Sequence, residues 1–415
     1  MMRRLAVAAA FLGLLFTGYS DPGRADEPRY IRPDNDTGAS SAVVVGDGPL
    51  VHTAQIMPVE ASRESGAAEQ AGAVLDRLDS VLPAAQSELR QVVKLNVCVA
   101  RQEDVSDVQR VLARRFSGPH KPAVSWVVTP LPAANVRVAA DAVAMTSLDA
   151  GVVLLGGEGE QAPPPGKAAP SAPSAAQFAV VPGGSRIYVA GQAERSESLA
   201  EATRKTLDSL RATLRFLGRR DEDIVQLKAF LMPMSEADVV KREVAAFFPG
   251  RPAPPLVLVE WKSGAQTPIE IELIAWGGEM RAGDAVSYAT PPGMTASPVF
   301  SRVATIHHSP TIFVSGLYAS PSGDADSQSP AAGEREVKEI FASLDEILKE
   351  AGSDFDHLAK ATYYVATDAA SAKLNELRPR YYDPRRPPAA SKAAVAGVGR
   401  PGLGLTIDMI AAPRR

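Results

Sequence analysis

One order of apolar segments and turns runs three times through this chain, and an internal repeat restricts the fold more tightly than composition does. Each copy opens on a strand pair. "SAVVVGDGPLVHTAQI", "FAVVPGGSRIYVAGQA" and "VATIHHSPTIFVSGLY" are each an apolar run, a turn rich in Gly, Pro or His, and a second apolar run. A one-sided helix follows. Leu207, Leu210, Leu214 and Leu217 recur at helical spacing, as do Val337, Ile340, Leu344 and Ile347, with Val74, Leu78 and Val81 in the shorter counterpart. Such helices need a sheet to cover. Next come a lysine-bearing strand (Lys94, Lys228 and Lys360 in "QVVKLNVCVA", "DIVQLKAFLM" and "HLAKATYYVA") and a second helix. A Pro-Ala turn then leads into "HKPAVSWVV", "RPAPPLVLVEW" or "RPPAASKAAV", and a closing strand ends the copy. In the closing strand Ile269, Ile271 and Leu273 alternate with Glu270 and Glu272, the period of a strand.

The unit is therefore ββαβαβ, and the fold class α+β with three tandem domains. The repeats span residues 38–148, 177–278 and 299–415. They are joined by a Pro/Ala-rich linker over 149–176 and a second linker over 279–298. With 45% apolar and 22% charged residues the chain is globular, and a net charge of −4 gives no footprint for nucleic acid. The single cysteine, Cys98, has no internal disulfide partner and sits in an apolar run, as a small buried hydrophobe does. Arg3 and Arg4, the apolar run Leu5 to Tyr19 and the small residues up to Ala25 predict a secretory signal peptide over 1–25. The mature chain is then expected to be periplasmic or secreted, with no membrane contact after cleavage.

The third copy resembles the RidA family, also called YjgF or endoribonuclease L-PSP-like proteins. "TIFVSGLY", "FASLDEILKEAGSDFDHLAKATYYV", "KLNELRPRYY", "RPPAAS" and "LTIDMIA" fall where that family's segments fall. The resemblance extends, as three copies, over nearly all of the chain after residue 38. It implies a chorismate-mutase-like fold in which subunits form homotrimers, with sheets around an axis, helices outside and small-molecule clefts between subunits. Three linked copies then predict a monomer built as an intrachain pseudo-trimer. Linkage removes the association entropy a trimer must overcome, and it lets the clefts diverge.

The resemblance also implies a site. The family's deaminases carry a Pro-Ala-Arg-Ser turn whose arginine grips an imino-acid carboxylate, helped by a backbone N–H of a Ser-Gly turn. An acidic residue of the last strand is thought to position water. Carried over, the arginine positions are Val124, Pro254 and Ala390, so the guanidinium is absent each time. The turn glycine corresponds to Gly191, Gly316 and, in the first repeat, Ala54. Asp141, Glu272 and Asp408 are the acidic candidates, Asn375 matches a helix asparagine, and Ser391 keeps the turn serine. Lys392, two residues past Ala390 on the same strand face, is a substitute cation to consider. A neutral side chain forfeits the charged hydrogen bond of a guanidinium, about 1.5–3 kcal/mol.

No metal site or cofactor is expected. His307 and His308 are adjacent and would point to opposite faces of a strand, and neither a phosphate-binding glycine loop nor a nucleophile elbow is present. Three functions remain. The first is an exported RidA-like protein that binds a small metabolite in an inter-repeat cleft without the family's imine hydrolysis. The second is an enamine or imine deaminase with a substitute cation, and the third a structural platform.

Overall fold

A computed structural model describes residues 27–59, 62, 64–157, 175–263, 266–307, 310–321 and 328–414. The stretch 1–25, expected to be a signal, and His308 lie outside them. Three segments of chain carry the same succession of elements. The first holds β1 (Arg29–Asp34), β2 (Ala39–Val45), β3 (Leu50–Thr53), α1 (Ala67–Val81), β4 (Val92–Val99), α2 (Val105–Arg115), β5 (Ala123–Val128) and β6 (Val138–Met145). The middle holds β7 (Leu154–Gly156), β8 (Phe178–Val181), β9 (Arg186–Gln192), α3 (Leu199–Phe216), β10 (Ile224–Leu231), α4 (Ala237–Phe247), β11 (Leu256–Glu260) and β12 (Ile269–Trp276). The last holds β13 (Val286–Ala289), β14 (Val303–Ile306), β15 (Thr311–Val314), α5 (Pro330–Glu350), β16 (Leu358–Val365), α6 (Asp368–Leu377), β17 (Ala389–Ala394) and β18 (Leu405–Ala411).

The ββαβαβ reading is short by two strands per segment. Each Pro-Ala turn opens a strand of its own, β5, β11 or β17, which runs parallel to β4, β10 or β16. The proline supplies the extended entry. Short strands also precede the first predicted ones. β1, β7 and β13 pair with β2, β8 and β14, so β7 and β13 occupy stretches expected to be linker.

The helices form as the spacing requires. Leu207, Leu210 and Leu214 are buried, as are Val337, Ile340, Leu344 and Ile347. Ser198, Ser329 and Thr367 cap α3, α5 and α6 by accepting from the N–H three residues on. Each helix pair covers the outer face of its own segment's sheet and makes a separate core there. Truncating a leucine of such a core typically costs about 2–5 kcal/mol.

The inner faces of the sheets are buried too. Leu50, Val143, Tyr188, Ile274, Phe313 and Ile410, drawn from all three segments, meet in one apolar cluster. Cys98, Phe230, Trp261 and Tyr364 belong to a second.

The second strand of each segment is exchanged. β2 pairs with β15 of the last segment, β14 with β9 of the middle, and β8 with β3 of the first. On its other side each lies against its own Pro-Ala strand, through Ser40 opposite Ala123, Ser301 opposite Ala389 and the Ala176 N–H donating to Ala253 O. These pairings leave three junctions, first–last, last–middle and middle–first.

Candidate functional site

Strand register decides which residues stand at equivalent places. Val124 pairs with Leu95, Ala390 with Ala361 and Leu256 with Leu227. Leu256, not Pro254, is therefore the middle segment's residue at the rung of Val124 and Ala390, and Val257, not Pro255, matches Ser125 and Ser391. The stretch "RPAPPLVLVEW" has two Pro-led steps, and the strand starts from the second one, where the Leu227 N–H donates to Pro255 O at 2.9 Å. The turn glycine shifts similarly. The Gly316 N–H donates to Val124 O at 3.0 Å, and its counterpart is the Gln55 N–H to Leu256 O at 3.1 Å. Gln55, not Ala54, is therefore the first segment's equivalent of Gly191 and Gly316. The Ala54 N–H instead donates to Gln177 O. All three arginine rungs, Val124, Leu256 and Ala390, are apolar.

The acidic candidates do not line the clefts. Asp141, Glu272 and Asp408 are all buried, and Glu272 and Asp408 line an interior cavity with Lys94, Lys228 and Lys360. Lys94 of the first segment donates to Asp408 of the last at 2.8 Å, to Ser125 Oγ at 2.7 Å and to Val314 O at 2.7 Å. Lys360 of the last segment lies 2.6 Å from Glu272 of the middle, and Lys228 lies 4.0 Å from it. Asp141 accepts from Asn96 Nδ2 at 2.8 Å. Burial pulls Lys94 and Lys360 below the usual lysine range, opposed by Asp408 and Glu272 respectively. Asp408 and Glu272 are thus partners of strand lysines, and Asp141 of Asn96. Lys94 and Lys360 share a level along the strands with Gln226, whose Nε2 donates to Thr53 O at 2.7 Å. The middle segment's lysine, Lys228, sits two residues further on, opposite Glu272.

The first–last cleft is open. It encloses about 990 Å³ continuous with solvent, between α2 and β5 on one side and β15 and α5 on the other. Val124, Gly316, Trp126 and Tyr318 line it. Arg400, from the loop between β17 and β18, is exposed, with its guanidinium 4.6 Å over the Tyr318 ring. Among the described residues it has no hydrogen-bond or ion-pair partner. Gly399 beside it has φ +82°, and Trp126 fills the space its Cβ would need, so only glycine fits there. Arg32 also lines the cleft, but Glu350 takes its Nε at 2.7 Å.

The last–middle junction gathers Ala390, Ser391 and Lys392 against Gly191. The Gly191 N–H donates to Ser391 Oγ at 3.1 Å. Lys392 does share Ala390's face, but its Nζ lies 3.1 Å from Asn375 Oδ1 and 3.2 Å from Ser371 Oγ, so it is held against α6. Burial lowers it, and the Arg378 charge adds to that. Sequence reasoning missed Glu270. It stands where Gly191 leaves no room for a Cβ, and its carboxyl is pushed up to about 7, chiefly by burial and then by the Glu272 charge. Ser391, Lys360 and Arg302 oppose that rise. Its signal was the Glu-x-Glu of "IEIELIA", which puts two carboxylates on one strand face.

The middle–first junction is filled. Gln55 sends its Nε2 to Leu258 O at 3.0 Å and to Cys98 Sγ at 3.5 Å. Burial pushes the Cys98 thiol up to about 12, which leaves it an unreactive packing group. Among the described residues no group of His, Cys, Asp and Glu could hold a metal, and no helix is long and apolar enough to cross a membrane.

The profile of the family described as Endoribonuclease L-PSP matches residues 35–146 and 294–413, more than half of the chain. Solved structures similar to it are each about one segment long. A YjgF-family protein from Neisseria meningitidis is 21% identical over 31% of this chain and 96% of its own, with a TM-score of 0.23. A Rid-family protein from Yersinia pestis is 21% identical over 31% and 99%, with a TM-score of 0.26. A YjgF/YER057c/UK114-family protein from Mycobacterium tuberculosis is 16% identical over 31% and 97%, with a TM-score of 0.21. No curated protein sequence matches the chain. By the extent of the profile match, the chain belongs to the Endoribonuclease L-PSP family, the RidA-like proteins.

Proposed function

We propose that the chain is an exported RidA-like protein whose three segments are divergent copies closed into an intrachain pseudo-trimer. It binds a small acidic metabolite in the first–last cleft and lacks the family's imine hydrolysis. One observation carries the reading. The arginine rungs hold Val124, Leu256 and Ala390, while an unpartnered guanidinium, Arg400, stands over Tyr318 at the mouth of the broad first–last cleft. The N–H of Gly316, which the resemblance assigns to carboxylate binding, is engaged by Val124 O. A ligand acid group therefore has Arg400 to meet and not the usual turn.

The test is direct. Metabolites captured from extract by the purified chain are identified by mass spectrometry, and ammonia release is followed while an amino-acid oxidase generates 2-imino acids in situ. Capture of an acidic metabolite without ammonia release supports the reading. Hydrolysis at rates typical of the family overturns it. Light scattering at one chain mass and an N-terminus near Asp26 in a periplasmic or extracellular fraction are the accompanying expectations.

A second reading rests on Glu270. A carboxyl poised near 7, beside Ser391 and within the field of Arg302, has the acid–base character a deaminase needs. Arg302 would then be the substitute cation. Loss of any ammonia release in both Glu270→Gln and Arg302→Met would place the chemistry at the last–middle junction.

A further inference from the structure

The second helix of each segment and the strand after it differ at two matched places. Leu112, Val244 and Arg378 stand equally far ahead of Val124, Leu256 and Ala390, and all three are buried. Further along those strands stand Trp126, Leu258 and Lys392, opposite Val97, Ala229 and Tyr363. The last segment therefore puts two cations and a phenol where the others put apolar side chains. We propose that Arg378 and Lys392 bind a phosphate group on the outer face of the last segment, between α6 and β17. The proposal is independent of the first–last cleft, where Arg400 stands.

Register and helix period bring the groups together. Tyr363 and Lys392 are paired on neighbouring strands, and the Arg378 guanidinium lies 5.0 Å over the Tyr363 ring. Ser371, Asn375 and Arg378 form one stripe of α6, whose backbone stays helical at Arg378. Lys392 Nζ donates to two members of that stripe, Ser371 Oγ at 3.2 Å and Asn375 Oδ1 at 3.1 Å. Asn375 is exposed and Lys392 half-buried, so solvent reaches the cluster there, and Arg378, 9% exposed, lies at its buried end.

Charge carries the argument. Among the described residues neither cation has a carboxylate within 4 Å. Glu376 is taken by Lys373 at 2.9 Å, and Asp383 by Arg385 at 2.8 Å. The acceptors of Lys392 are neutral, and Arg378 Nε is buried with no partner. Two like charges held side by side in a partly buried place are destabilising until an anion joins them. Burial, then the Arg378 charge, pulls Lys392 below the usual lysine range, the direction of a missing counter-charge. Leu112 with Trp126 and Val244 with Leu258 show that core packing here does not require cations. Water would meet Arg378 Nε but leave both charges uncompensated. A guanidinium fork beside an ammonium suits the oxygens of a doubly charged phosphate.

Inorganic phosphate and methyl phosphate are titrated into the purified chain by calorimetry, in chloride of constant ionic strength. The expected result is one site per chain. Arg378→Leu and Lys392→Leu, which install the side chains of Leu112 and Leu258 at the matched places, should each weaken binding roughly 10–100-fold and leave binding at Arg400 unchanged. In phosphate-free denaturant titrations Arg378→Leu should be at least as stable as the wild type, because it removes an uncompensated charge, and added phosphate should stabilise the wild type far more than either variant. Should Arg378→Leu fail to fold, Lys392→Leu alone decides. Binding of methyl phosphate as tight as that of the inorganic ion identifies an esterified ligand, and binding of the inorganic ion alone identifies free phosphate. No heat with either, or an affinity that both variants retain, overturns the proposal and leaves Arg378 a stacking partner of Tyr363.

Discussion

The two junctions that flank the first segment are built on the same rungs and have opposite outcomes. Toward the last segment the turn residue is Gly316 and the cleft stands open. Toward the middle segment the turn residue is Gln55, whose side chain crosses to Leu258 O and fills the space. The interior contacts diverge in parallel. Lys94 fastens the open side through an ion pair to Asp408 and a hydrogen bond to Val314 O, whereas Gln226 fastens the closed side through one neutral bond to Thr53 O. The open junction is thus held by the deeper charge pair, and the closed one by a plugged surface and a neutral bond. At these two junctions the turn residue separates an open cleft from a filled seam.

The largest expected effect breaks the open side from within. Lys94→Met leaves Asp408 buried and unpaired and should cost about 3–5 kcal/mol in denaturant unfolding. Gln226→Leu on the closed side should cost only about 1–3 kcal/mol, since it strands one carbonyl. Equal losses would remove the asymmetry claimed here.

Next comes the ligand. Arg400→Ala should weaken binding of an acidic metabolite roughly 10–100-fold by calorimetry, the value of one charged hydrogen bond, while Gln55→Ala leaves it unchanged.

Restoring the lost cation sharpens the contrast. Ala390→Arg should raise ammonia release from 2-imino acids roughly tenfold above background, because Glu270 and Ser391 stand nearby. Val124→Arg should do less, since Thr406 occupies the rung of Glu270 there, and Leu256→Arg least, since Gln55 blocks it. An active Leu256→Arg variant would refute the plug.

The smallest effect is in pH. Burial, then the Glu272 charge, raises Glu270 to about 7 in the fold from the usual carboxyl value of about 4.5. Its neutral form is therefore favoured, so its contribution is full below about 4.5 and is lost as pH rises through about 7. Glu270→Gln should flatten the stability profile across that window. A variant whose profile retains the wild-type slope would show that Glu270 is not the titrating group.

The helices were legible because a helix writes its buried face at a fixed period, and the same order of elements recurs along the chain. β17 was legible only through its Pro-Ala lead-in, because "AASKAA" has no apolar alternation and takes its strand geometry from pairing with β16. The acids were placed correctly on one strand face but on the wrong side of the molecule. Period 2 separates faces without saying which is buried, and here both are, one under helices and one around the interior. The register error at Pro254 has a similar cause. Consecutive prolines mark an extended entry, but which carbonyl receives the first N–H is settled only by the neighbouring strand.

The exchange of β2, β8 and β14 has a consequence for how such a chain can be divided. The piece that repeats in the sequence differs from the piece that holds together. A fragment cut at the repeat boundaries carries β8 away from β3, on which it is seated, and leaves β9 without β14. A protease cleaving between the first and middle repeats would nick the molecule without releasing either part. The self-contained module is offset by one strand, running from Leu50 to Val181, and recombination that shuffles these domains would have to join them there, inside what an alignment draws as a single copy.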